Sequence, residues 1–159
     1  MAKSNIEALE IYFKKVITDL KSDQAQKKIR ASGESAASLK FSASATSGQL
    51  KGADYFFFQI VGRRPGKFAP PAAIIRWIKD KGITPQGKTT IEQLAYLINR
   101  KMARQGTDIY TGKREGLSFN EITGGENLET LIESIKDRKV NEIITFMKAD
   151  LTGKPQTAI

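Results

Sequence analysis

Apolar positions recur every three to four residues from Asn5 to about Arg30. Ile6, Leu9, Phe13, Val16, Ile17 and Leu20 share one face, with Lys14, Lys15, Asp19 and Lys21 off it, so the spacing predicts a long amphipathic helix. Ser4 with Glu7 three residues on forms a capping-box pattern, and Gly33 closes the run. Beyond Leu20 the apolar stripe thins, which predicts last turns that face solvent or a neighbouring subunit. From Ser38 to Ala45 the period drops to two: Leu39, Phe41, Ala43 and Ala45 alternate with Ser38, Lys40, Ser42 and Ser44, as in a half-buried strand. Ser47-Gly48 turns the chain into a returning strand that starts at Gln49-Leu50-Lys51. Tyr55 to Val61 is apolar almost throughout. Periodicity leaves strand and helix open there and predicts core in either case.

Gly62 to Pro71, GRRPGKFAPP, reads as a stiff basic loop, because Pro65, Pro70 and Pro71 fix φ and lack a donor. Pro71 opens a helix from Ala72 to Lys81 with Ile74, Ile75 and Ile78 inward and Trp77 nearby, and Gly82 ends it. Thr90 and Gln93 repeat the capping-box pattern before a helix to Arg104 whose stripe is Ile91, Leu94, Ala95, Ile98 and Met102; Gly106 stops it. Residues 107–125 read as loop. A final helix runs from about Glu126 to Leu151, and its stripe changes phase near Asp137 to Lys139, where a bend fits. A flexible tail, 153–159, follows. The resulting expectation is one α+β domain over 1–152: a small antiparallel sheet packed with helices, with long N-terminal and C-terminal helices.

Composition narrows the chemistry. The 159 residues contain no histidine and no cysteine, which removes disulfides, thiol catalysis and the commonest general base and transition-metal ligand. No catalytic residue, metal site or cofactor is expected. No stretch approaches the roughly 20 apolar residues of a membrane span, and the opening MAKSNIEALEIYFKK has acids where a secretion signal would be apolar; no membrane partner and synthesis in a cytoplasm are expected. Lysine and arginine number 26 against 17 aspartate and glutamate, with the excess confined to the first 113 residues. Such a polarised chain can offer its basic part to DNA or to an acidic neighbour.

Several motifs compete for a role. Gly82 to Thr89 matches the phosphate-loop pattern G-x-x-x-x-G-K-S/T, in which backbone N–H groups wrap phosphates and the lysine meets the terminal ones. That loop must leave a buried strand, whereas Ile75 to Lys81 reads as a helix, so a nucleotide site is a weak third reading. The aromatics Tyr55 to Phe58 could stack on bases, although four in succession cannot share one face. Asp108, Glu115, Glu121 and Glu126 lack the spacing of a hand-type calcium loop. The candidates for an interface or a DNA-facing surface are Arg63, Arg64 and Lys67 on the proline-stiffened loop, continued by Arg100, Lys101 and Arg104 along one helix.

The order of features from Tyr55 onward resembles the tail-completion, or head–tail joining (neck), proteins of tailed bacteriophages, a set that includes virion morphogenesis and minor tail proteins. The likeness rests on Tyr55 to Val61 running into Gly62-Arg63-Arg64-Pro65-Gly66, then Pro70-Pro71 and the helix with Trp77-Ile78. Next come Ala95 to Met102 and Gly106-Thr107, continued by Asp108-Ile109-Tyr110. It covers roughly residues 50–150. The resemblance implies a structural, non-enzymatic virion protein that forms a homo-oligomeric ring between a portal or adaptor ring and the tail proteins. Genomic DNA would then pass its lumen. The alternative from the residues themselves is a stand-alone basic DNA-binding protein.

Overall fold

A computed structural model describes residues 5–151; Ser4 and the expected tail 153–159 lie outside them. The fold is α+β. Helices α1 (Asn5–Gln26) and α2 (Glu34–Ser38) precede the strands β1 (Lys40–Ala43) and β2 (Gly48–Lys51). Then follow α3 (Phe56–Val61), α4 (Pro71–Asp80), α5 (Ile91–Gln105), α6 (Phe119–Thr123) and α7 (Gly125–Leu151). The two strands form one small antiparallel sheet, and long helices stand at both ends of the chain.

The chain divides into two compact units. One comprises Ile17–Lys40 and Lys51–Phe119. Its buried centre includes Leu20 from α1, Leu39, Phe56 from α3, Ile78 from α4, Ala95 and Asn99 from α5, and Leu117. Helices α4 and α5 pack on each other, and both ends of their connection follow local chemistry. Gly82, at φ +65°, lets the Ile83 amide return to the Ile78 carbonyl at 3.0 Å and ends α4. Thr90 then caps α5 in a full capping box with Gln93, as its spacing predicts.

The other unit comprises Met1–Val16, Phe41–Leu50 and Asn120–Ile159. Ala8, Phe13 and Val16 are its buried α1 positions, and the Phe13 ring stacks on Phe41 at 5.7 Å between centroids. Gly48 lies under the same ring: a Cβ there would fall 2.3 Å from Phe13 Cε2, so the strand can pass only as glycine. Ser44 and Ser47 close the hairpin through hydroxyl and backbone bonds.

The structure corrects several boundaries and burials. Helix α1 ends at Gln26, not near Arg30: Lys28 takes φ +53°, the Ile29 amide turns back to the Gln24 carbonyl, and the Lys81 ammonium takes the carbonyls of Lys28 and Arg30. The last turns are largely exposed, as expected, at Lys21, Ser22, Ala25 and Gln26, with one exception. Gln24, only 1% exposed, extends the buried stripe as a polar residue, donating to Ser35 Oγ and to Gln59 Oε1. Ile6, at the other end of the expected stripe, is 40% exposed.

Ser38 belongs to α2, not to the strand, because its hydroxyl bonds the Ser35 carbonyl and accepts the Ala53 amide; the strand itself is only Lys40–Ala43. Of Tyr55 to Val61, Tyr55 caps a helix that runs Phe56–Val61, and the stretch is not core throughout: Phe56 is buried, whereas Phe57 and Phe58 stand 60% and 48% exposed. The expected loop 107–125 contains the short helix α6, and α7 continues as one helix through Asp137 to Lys139. Among the described residues, no helix is long and apolar enough to cross a membrane.

Candidate interaction surface

The proline-stiffened loop is tied along α5 in the opposite direction. At its start, the Arg63 amide donates to Thr107 Oγ1 and the Thr107 amide returns to the Arg63 carbonyl, each at 2.9 Å. In the middle, the Gly66 amide donates to the Ala103 carbonyl at 2.9 Å. At its end, the Asn99 side chain brackets Ala69, accepting its N–H at 2.8 Å and donating to its carbonyl at 2.7 Å. The backbone of 63–69 therefore follows α5 from its last turn back to its third.

Glycines make that approach possible. Gly62 has φ +73° and ψ 177°, a region open in practice to glycine alone, and a Cβ there would sit 2.3 Å from the Tyr110 nitrogen. Gly106, φ +82°, is also crowded, since a Cβ there would fall 2.7 Å from Tyr110 Cδ1 and 2.8 Å from the Arg63 carbonyl oxygen. The Gly62–Gly66 and Gly106–Tyr110 segments, far apart in the chain, are thus one interlocked element.

This strap brings the six sequence candidates onto two adjoining tracks. Arg64 and Lys67 on the strap, and Arg100 and Arg104 on α5, are exposed, and among the described residues no carboxylate lies within ion-pair distance of any of them. The other two are engaged. Arg63 is half-buried, and its guanidinium donates to the Lys67 carbonyl at 2.6 Å, so it braces the loop. Lys101 meets Asp108 at 2.9 Å, and this hydrogen bond holds the Asp108 carboxyl below the usual carboxylate range.

Residues 96, 100 and 104 share a helix face at four-residue spacing, so Tyr96 stands in line with the two free arginines. Phe68 meets Tyr96 edge to face at 6.1 Å, and both rings are more than half exposed. A shallow open depression lined by Thr89, Glu92, Gln93, Tyr96 and Leu97 adjoins the pair.

Charge is segregated in the same sense. The unit that carries the strap has 18 basic against 8 acidic side chains, and the other has 8 against 9. Sequence reasoning missed Asn99, Thr107, Phe68 and Tyr96. Asn99 had a readable signal: an amide at a core-facing helical phase with Ala95 and Met102 must find backbone partners. Nothing local marks the other three, because each matters through a partner at least 28 residues away.

The remaining motifs give no built site. The Gly82 to Thr89 stretch connects two helices, with no strand before it, and at the start of α5 the Gln93 amide is already taken by the Thr90 hydroxyl. Among the described residues, no three Asp or Glu side chains lie close enough to hold a metal ion. Comparison with family models, with curated proteins and with solved structures finds no match.

Proposed function

We propose that the chain is a structural, non-enzymatic subunit of a ring in the head–tail connector of a tailed-phage particle, acting through packing and electrostatics. The observation that carries this reading is the outer half of α7. Val140, Ile143, Ile144 and Met147 repeat at helical spacing as one stripe, and Val140, Ile143 and Met147 are 53–58% exposed, with Phe146 beside them at 59%. An apolar stripe of that length left in water marks a protein that is completed by assembly. The order of motifs resembling neck proteins names the kind of assembly, and the interlocked strap gives those motifs a common physical purpose: a rigid basic edge.

The test is quantitative mass spectrometry on purified, DNA-filled particles, reading copy number relative to the portal. A fixed small-integer ratio supports the ring subunit. Absence from clean particles overturns it.

A second reading, a stand-alone DNA-binding protein, is favoured by the basic excess of the strap-bearing unit. It predicts a strongly salt-sensitive affinity of the isolated chain for duplex DNA, without incorporation into particles.

A further inference from the structure

Free cations line the strap, and free anions line another surface of the same chain. Glu121 in α6, and Glu126 and Glu129 in α7, are exposed, and among the described residues no lysine or arginine lies within ion-pair distance of them. Leu128 and Ile132, 40% and 42% exposed although both are apolar, stand on the flank of α7 next to Glu129, with Glu126 further round the helix. The strap has a mainly converse composition: Arg64, Lys67, Arg100 and Arg104 free, with the exposed Phe68–Tyr96 pair and the shallow depression at Tyr96 and Leu97 beside them, one acid, Glu92, lining that depression. Each face thus pairs an apolar patch with unpaired charge, and the prevailing signs are opposite, four cations against one acid on the strap side and three acids on the other.

We propose that these two faces bind each other between copies: the strap edge of one copy docks on the α6–α7 face of the next. Leu128 and Ile132 meet the Phe68–Tyr96 pair, while Glu121, Glu126 and Glu129 face the four free cations. The two faces are different, so the contact is heterologous, and repeating it builds a ring or a filament rather than a two-fold dimer. Charge complementarity favours a second copy as the occupant, because the chain itself supplies both sides of the contact. The inference rests on the ring reading and names its subunit interface.

The test uses two charge-reversed forms of the full chain. One carries Arg100→Glu and Arg104→Glu; the other carries Glu126→Arg and Glu129→Arg. All four positions are exposed, and circular dichroism is used to check that each form folds. Self-association is followed by light scattering at rising protein concentration. The parent assembles into species larger than dimers, and each reversed form alone assembles at least about tenfold more weakly, since like charges now face each other. An equimolar mixture of the two recovers parental assembly, because each reversed face then meets its complement. Carbodiimide treatment of mixed light- and heavy-isotope parent chains joins Lys67 of one copy to a carboxylate in the 121–129 stretch of another.

Failure of the mixture to recover assembly overturns the interface, as does assembly of either reversed form at parental strength. So does a parent that stays monomeric while holding duplex DNA through Arg100 and Arg104, which would give the strap to nucleic acid. The copy number in particles is measured independently, so a failed interface leaves the ring reading standing and a missing protein does not.

Discussion

Asn99 holds Ala69 by both of its backbone groups, and this one side chain, 3% exposed, anchors the far end of the strap to α5. An amide suits the role because it offers an acceptor and a donor side by side, which no apolar residue of the same volume can do.

Asn99→Ala should therefore destabilise the fold by about 2–3 kcal/mol, the cost of leaving two part-buried backbone groups without partners. Urea unfolding monitored by Trp77 fluorescence measures it. A loss under about 0.5 kcal/mol would mean that water or a relaxed loop replaces the amide.

Gly62 and Gly112 separate backbone strain from steric exclusion. Both have positive φ, +73° and +72°, but a Cβ on Gly112 meets nothing within 4 Å, whereas one on Gly62 would overlap the Tyr110 backbone. Gly112→Ala should cost about 1 kcal/mol. Gly62→Ala should cost about 3 kcal/mol or more, since the strap start must move. Equal losses in the two variants would contradict the close packing of Gly62 against Tyr110.

The Lys101–Asp108 pair gives a pH signature. A carboxyl whose folded pKa lies below its unfolded value stabilises the fold fully above the unfolded value, about 3.9 for aspartate. The contribution fades as the pH falls through the folded value. Asp108→Asn should accordingly be less stable than the parent at neutral pH, and the two should converge in strong acid. The Asp108 side chain is 49% exposed, so the gap should be small and should shrink further with added salt. A gap that persists unchanged at low pH would assign it to something other than ionisation.

The outer stripe of α7 predicts a dissociation of stability from assembly. Ile143→Ser with Met147→Ser removes exposed apolar surface and should leave unfolding within about 0.5 kcal/mol of the parent. Incorporation into particles should fall sharply. Normal incorporation would show that this stripe is not a contact.

Where neighbours in the chain carried the signal, sequence reading succeeded. The Thr90–Gln93 capping box, the Pro71 start and Gly82 end of α4, and the turn at Ser47-Gly48 all depend on residues within a few positions of one another. It failed where burial depends on what packs from far away. Phe57 and Phe58 looked like core because they are apolar, yet a six-residue helix has too narrow an inner face to bury a whole aromatic run, and Phe56 alone turns inward. Gln24 looked like the frayed end of a stripe because it is polar, yet it is buried, and Ser35 and Gln59 accept its amide N–H groups while its Oε1 has no partner.

The candidate surface divides the same way. Arg63, Arg64, Lys67, Arg100, Lys101 and Arg104 were legible as basic positions on a stiff loop and a helix. Which of them are free was not, because the Lys67 carbonyl and Asp108 occupy Arg63 and Lys101 through contacts that composition does not encode.

The sequence alone determined the four long helices α1, α4, α5 and α7, the Thr90 cap of α5, the absence of imidazole and thiol chemistry, and the bias of positive charge toward the first 113 residues, since these follow from residue identity and short-range spacing. Only the tertiary structure decided that the Gly62–Ala69 segment lies along α5, that its glycines admit the Thr107–Tyr110 backbone, and that four cations on the two elements stand free beside an exposed aromatic pair. Those relations join segments some 30 to 45 residues apart in the chain. Hydrogen-bond geometry and close packing, which act through space, select them, and no local pattern of residues records that choice.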